Sequence, residues 1–395
     1  KTNYWNLHSL RADRSRFHDR NEVVSYVKES LLDSVKSHLV SDVPVGAFLS
    51  GGIDSSAIVS LMRQSGQNKI GTFSLSFENE MLNESIYSRQ ISELYNTDHH
   101  ELVVRNDDVT NFINGFSRSM DQPTIDGLNT YIVSKFAKDN GYKVVTSGIG
   151  GDELFRGYSH FKNLPKIDSL FKHSPSSLNK VFSYIIQKLI SYNSINPKWQ
   201  RLSSAISPDY SFVKLYEQSR VLFSDLEVKN IITESDESLE QNEDSVLKKI
   251  FDIEGSVESK ISLMESYRYL GSQLLYDSDI FSMTNSIELR TPFVDKTLYE
   301  KIYSIKNELW FSDKKYNKSL LVDAIGDLPS EIYYRKKMGF VLPVEMFLKK
   351  NPYELKSDVI NNKYFHNIEE SFANGKVHYS KILALRVLDE YVASI

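Results

Sequence analysis

The chain of 395 residues contains no cysteine. That excludes a disulfide framework, a thiol nucleophile and a thiolate metal site. It fits a reducing compartment, so a cytoplasmic location is expected. No apolar run approaches the ~20 residues that cross a bilayer; the stretch from Phe182 to Ile190 is short and interrupted by Ser183, Gln187 and Lys188. No membrane partner is expected. An excess of one charge is also missing. Forty-seven Lys and Arg stand against 52 Asp and Glu, a net charge of −5, which offers no general attraction for nucleic acid. No signal peptide is expected, and no internal repeat is visible. A start on Lys1 rather than Met is the expectation for a fragment or a processed product. What remains is an ordinary globular composition, 41% hydrophobic and 25% charged, in a chain long enough for two domains with sizeable cores.

Chemistry is concentrated in two glycine turns. The apolar run Val45-Gly46-Ala47-Phe48-Leu49 leads into Ser50-Gly51-Gly52-Ile53-Asp54-Ser55-Ser56, and the helix-compatible Ala57 to Met62 follows. Strand, glycine turn, helix is the order that aims backbone N–H groups and a helix N-terminus at one point. The hydroxyls of Ser50, Ser55 and Ser56 suit a phosphate there. Asp54 repels phosphate unless a cation lies between them, and a hard cation with oxygen ligands such as Mg²⁺ resolves the conflict. Two glycines alone would be a plain connection. The full Ser-Gly-Gly-x-Asp-Ser-Ser string is more specific, and it lacks the Gly-Lys-Ser/Thr ending of the ordinary P-loop.

The second turn is Ser147-Gly148-Ile149-Gly150-Gly151-Asp152-Glu153, after the strand candidate Lys143–Thr146. Parallel strands present their C-terminal ends on one edge of a sheet, so both turns can reach one site. Asp54 and Asp152 would then hold a metal ion across a pyrophosphate. Glu153 is either a further ligand or a helix-start acid. His99 and His100 are adjacent on a strand candidate, point to opposite faces, and are read as structural.

The first string resembles the PP-loop of the N-type ATP pyrophosphatases. With the second motif, the chain resembles the synthetase domain of glutamine-dependent asparagine synthetase over nearly its whole length. Tyr4-Trp5, Pro44–Ser56, Thr72–Phe77, Asn83-Glu84, Thr97–Leu102, Asp121-Gln122-Pro123, Thr130-Tyr131, Asp279, Ser282-Met283, Glu288–Asp295 and Arg335-Lys336-Lys337-Met338-Gly339-Phe340 carry the likeness. The resemblance implies an α/β fold, a parallel sheet with helices on both faces of the adenine nucleotide α-hydrolase-like PP-loop type, followed by a mainly helical C-terminal part. It implies ATP and Mg²⁺ as cofactors and an acyl-adenylate intermediate. ATP and its pyrophosphate would be held by Leu49, Ser50, Gly51, Gly52, Asp54, Ser55, Ser56, Ser76 and Gly148, and the metal by Asp54 and Asp152. Lys337 would stabilise the adenylation transition state. Ile149, Glu153, Asp279, Glu288 and Arg290 are further site candidates.

The resemblance also implies the partners: a small-molecule carboxylate, aspartate in the family, ammonia, and a glutaminase domain in cis or in trans. A homodimer is a further expectation. Two positions depart from the family. An acid or similar polar residue is usual where Ile149 stands, which leaves open a homologue acting on another carboxylate. Arg156 replaces a small residue; it is either a surface group or an added charge near the acceptor. A non-catalytic nucleotide-binding protein is the remaining alternative.

The expected organisation is a linker over 1–20, a nucleotide-binding α/β core over 21–165, a helical insertion with an acidic loop over 166–255, and a mainly helical part over 256–395 that completes the site. Val23, Val24, Val27, Leu31, Leu32, Val35 and Leu39 predict a helix. Strands are predicted at Val45–Leu49, Gly71–Phe77, Glu101–Val104 and Lys143–Thr146, alternating with helices as in a parallel sheet. The acidic segment 233–245 reads as a solvated connection.

Overall fold

The computed structural model describes residues 5–7, 10, 17–77, 85–175, 177–178, 180–182, 184–185, 205–206, 210–232, 245–310, 316–335 and 344–394. Asn83-Glu84, Lys337 and nearly all of the acidic segment lie outside them.

Five strands, β1 Val45–Phe48, β2 Gly71–Phe77, β3 Asp98–Val104, β4 Val144–Thr146 and β5 Glu288–Arg290, form one sheet. Their order is β3-β2-β1-β4-β5, with every neighbouring pair parallel. The four predicted strands are present. The fifth has three residues, too few to show alternation in the sequence. Helices α1 Arg20–His38, α2 Ile53–Gln64, α3 Ser85–Leu94, α4 Asn106–Arg118, α5 Leu128–Asp139 and α6 Gly151–Leu154 alternate with them. With crossovers of the usual right hand, connections running outward from β1 in two directions put their helices on opposite faces.

The hydrophobic pattern explains the layering. Val23, Val27, Leu31 and Val35 of α1 are fully buried, as the helical spacing predicts. In α2 every residue from Ser55 to Met62 is buried, because this helix packs on β1, on α1 and on helix Ser319–Ile325. His99 bonds through its two ring nitrogens to the hydroxyls of Thr72 (2.8 Å) and Ser74 (3.2 Å). His100, on the other face, stacks on Phe73 at 5.3 Å. Both are structural, as expected.

The chain divides into two units. The first comprises Lys1–Gly157, Glu265–Tyr353 and Ser394, and holds the whole sheet. The second comprises Tyr158–Met264, Glu354–Ala393 and Ile395. Its described residues are mainly helical, with one antiparallel bridge, Ile232 to Ile360. Within it Phe212 stacks on Phe251 at 4.9 Å, and Lys381 pairs with Glu227 next to the Ser224 capping box.

Candidate active site

β1 and β4 are hydrogen-bonded neighbours, with Val45, Gly46 and Ala47 opposite Val144, Val145 and Thr146. They flank the point where strand order reverses, and such a point opens a crevice at the C-terminal ends of the strands. The two glycine turns leave β1 and β4 there, so sheet topology brings together segments nearly a hundred residues apart. The approach is close. A Cβ on Gly148 would lie 2.8 Å from the Asp54 carbonyl carbon and 2.9 Å from the Ser55 nitrogen. Only a residue without a side chain fits between the turns.

The first turn is closed on itself. Ser50 N donates to Ser55 Oγ (3.2 Å), the two hydroxyls are 3.1 Å apart, and Gly52 N donates weakly to Ser50 Oγ (3.4 Å). Gly51 has φ +70° and lies against Tyr87, with 2.6 Å from its would-be Cβ to the Tyr87 Cβ. Leu49 N donates to Phe73 O (2.9 Å), fixing the exit from β1. Ser56 is fully buried and Ser76 nearly so, at the end of β2. Arg335, the first residue of the Arg-x-Lys-x-Gly-Phe element, lies over the Tyr87 ring at 4.4 Å and donates to Gly51 O at 3.1 Å. It thus holds the chain to the first turn two residues before Lys337.

Between the turns lies a group with no sequence signal, Lys318. Its ammonium bonds to Asp54 Oδ2 and sits 2.6 Å from Asp152 Oδ1. Its side chain is 2% exposed, against 22% for Asp54 and 18% for Asp152. Burial alone would push the ammonium pKa down; the charges of Asp152 and Asp54 outweigh it and hold the group above the ordinary lysine value. The backbone of Lys318 is left-handed, φ +52°, a conformation that costs a non-glycine residue about 1–2 kcal/mol. Asn317 Nδ2 donates to Gly157 O (2.9 Å) and anchors the approach. Asp54 and Asp152 are the carboxylates here that could hold a cation, and a Cβ on Gly151 would run into the Asp54 carboxylate.

The other candidates are spread out. Ile149 N donates to Ser147 Oγ (3.3 Å), and Ser147 N to Arg290 O (2.8 Å), so β5 supports the second turn through its backbone. The Arg290 side chain pairs with Glu288 (2.7 Å) and donates to the carbonyls of His38 and Val40. Glu153 is buried. Asp279 is exposed. Arg156 is not a surface group. It is 5% exposed, bonds to Asn307 Oδ1 and lies over Trp310 at 3.9 Å.

A second polar cluster surrounds Asp277, two residues before Asp279. Thr124 donates to Asp277 (2.7 Å), while Gln273 (2.7 Å) and Tyr269 (3.3 Å) donate to Asp126. Tyr269 and Gln273 belong to the π-helix Ser266–Leu274. Burial raises the Asp277 carboxyl from 3.8 to about 6. Only its helix neighbourhood was visible in the sequence.

The sheet order, the paired turns at its switch point and the two acids define a parallel α/β protein with a nucleotide-type crevice. The family model described as asparagine synthase matches residues 26–383, and the chain belongs to that family. Asparagine synthetase (glutamine-hydrolyzing) 1 of Bacillus subtilis is 28% identical over 95% of this chain and 57% of its own length. Putative asparagine synthetase (glutamine-hydrolyzing) 2 of Methanocaldococcus jannaschii is 38% identical over 43% of this chain and 32% of its own. Amidase chyE of Penicillium rubens is 24% identical over 86% of this chain and 55% of its own. The chain therefore spans about half the length, or less, of these relatives. Among the described residues no helix is long and apolar enough to cross a membrane.

Proposed function

We propose that this chain is a ligase that activates a carboxylate with ATP and passes the acyl group to ammonia. The carboxylate oxygen attacks the α-phosphorus, pyrophosphate leaves, and an acyl-adenylate forms. Ammonia then attacks the acyl carbon and AMP departs, leaving an amide. The family favours aspartate as the acceptor and asparagine as the product. The observation that carries the reading is the meeting of Asp54 and Asp152 about one buried ammonium, at the switch point of a parallel sheet.

The residues divide the work. Backbone donors of Ser50, Gly51 and Gly52, the hydroxyls of Ser55 and Ser56, and the N-terminus of the 12-residue helix α2 would cradle the pyrophosphate. Leu49, Ser76 and Gly148 would line the nucleotide. Asp54 and Asp152 would hold a divalent cation, and their hard-oxygen pair fits Mg²⁺, with phosphate oxygens and water completing its shell. When bound, the metal neutralises charge that builds on the phosphates. Lys318 adds positive charge at the same place, and Lys337 is assigned to the departing pyrophosphate. Arg335, two residues before Lys337 in sequence, is anchored on Gly51. A chain without cysteine cannot itself supply a thiol glutaminase, so glutamine-derived ammonia would come from a glutaminase domain in cis or in trans.

A second reading, amidation of a different carboxylate, is favoured by two observations. Ile149 offers no side-chain acceptor for a proton of the incoming ammonia, and an amidase is among the relatives. Carboxylate-dependent ATP–pyrophosphate exchange tests both. Exchange with aspartate, and asparagine plus AMP on adding ammonium, is expected. Exchange with another acid but not aspartate establishes the second reading. No AMP with any carboxylate defeats both.

A further inference from the structure

A charged lysine on the two acids assigned to a cation presents a conflict. A divalent ion and an ammonium compete for these carboxylates, since both are positive and would stand a few ångströms apart. Yet the lysine is firmly placed. Its side chain is almost completely buried, its backbone is in a left-handed conformation, and Asn317 fixes the residue before it. Two carboxylates gathered in one partly buried site with no cation between them would repel each other.

We propose that Lys318 is the resident counter-cation of the nucleotide-free site. Its ammonium holds Asp54 and Asp152 in register, and it excludes free divalent metal from them. Metal then enters only with an anion that offers the ammonium a new partner, so metal and nucleotide bind together rather than singly. The flexible four-carbon stem of lysine allows the ammonium to move by the few ångströms required without shifting the helix it precedes. Movement away from the acids is blocked on one side by Gly157, where a Cβ would run into both the Lys318 stem and Asp152. The inference rests on Asp54 and Asp152 being the cation-holding pair.

The test is Mn²⁺ binding, read by loss of the free-ion electron paramagnetic resonance signal, with and without ATP. Wild-type protein is expected to take up Mn²⁺ tightly only when ATP is present. Lys318→Met is expected to bind Mn²⁺ without nucleotide on the order of tenfold tighter than wild type, within the range of ordinary site–site coupling. Adding Asp152→Asn to that variant should abolish the gain. If Lys318→Met does not fold, Lys318→Gln carries the same comparison, being neutral and still able to bond both acids. Equal nucleotide-free affinity in wild type and variant, with Mn²⁺–ATP binding still sensitive to Asp54→Asn, overturns the counter-cation role and leaves the site assignment standing. Mn²⁺–ATP binding indifferent to Asp54→Asn and Asp152→Asn overturns the site assignment, and the counter-cation role with it.

Discussion

Replacing Gly148 by alanine adds one methyl group where the two turns meet. That methyl would lie 2.8 Å from both the Asp54 carbonyl carbon and the Asp54 Cβ, and 2.9 Å from the Ser55 nitrogen. Two of those three atoms are backbone, so no rotamer change relieves the contact. The turns must separate by several tenths of an ångström to reach ordinary van der Waals distance. Overpacking of this kind costs about 1–3 kcal/mol, and each kcal/mol lowers the melting temperature by about 2–4 °C in a domain of some 150–250 residues. Activity should suffer more than stability. Asp54 lies on the moving turn, and displacing a catalytic group by ~1 Å costs about 100-fold in rate. Gly66→Ala is the control. It has φ +92° with nothing within 4 Å, so it suffers left-handed strain of about 1–2 kcal/mol far from the crevice. Thermal melts and ATP–pyrophosphate exchange measured on both variants should give similar stability losses and a large exchange loss only for Gly148→Ala. Full exchange by Gly148→Ala would refute the claim that the two turns form one site.

Three further outcomes are expected. Arg156→Ala should lower stability by about 0.5–2 kcal/mol through loss of its stacking on Trp310, with the preferred carboxylate unchanged, as read by denaturant unfolding and an acceptor screen. Asp277 has its carboxyl raised by burial from 3.8 to about 6, so the folded state holds a proton that the unfolded state releases. Stability should therefore fall as pH rises from about 4 to about 6, and Asp277→Asn should flatten that slope in melts across the range. Burial works against ionisation of Glu227, but hydrogen bonds from Lys381 and Ser224 overcome it and hold the group below its ordinary 4.5. The stabilisation is complete above that value and is lost as pH falls through the lower, folded one. Lys381→Met should cost about 1–3 kcal/mol at neutral pH and remove the acid-side loss, checked by urea unfolding at two pH values.

Local chemistry made much of this protein legible. Alternating apolar runs and glycine punctuation marked four strands and the helices between them, because strand and helix periods differ and need only nearby residues to be seen. The two glycine turns stood out for the same reason. The strand Glu288–Arg290 was hidden, since three residues carry no period and its pairing with Val144–Thr146 joins distant segments. Arg156 could not be assigned either, because its partner Trp310 is about 150 residues away.

The sequence alone determined which residues are the candidates for phosphate and metal chemistry, since glycine, hydroxyl and carboxylate at fixed spacing after a strand are recognised by their own short-range pattern. Tertiary structure decided what stands between them. Lys318 is one lysine among many in the chain, and nothing near it in sequence distinguishes it. Only the tertiary fold places its ammonium against Asp54 and Asp152. A Coulomb contact depends on distance in space, and that distance is set by the fold.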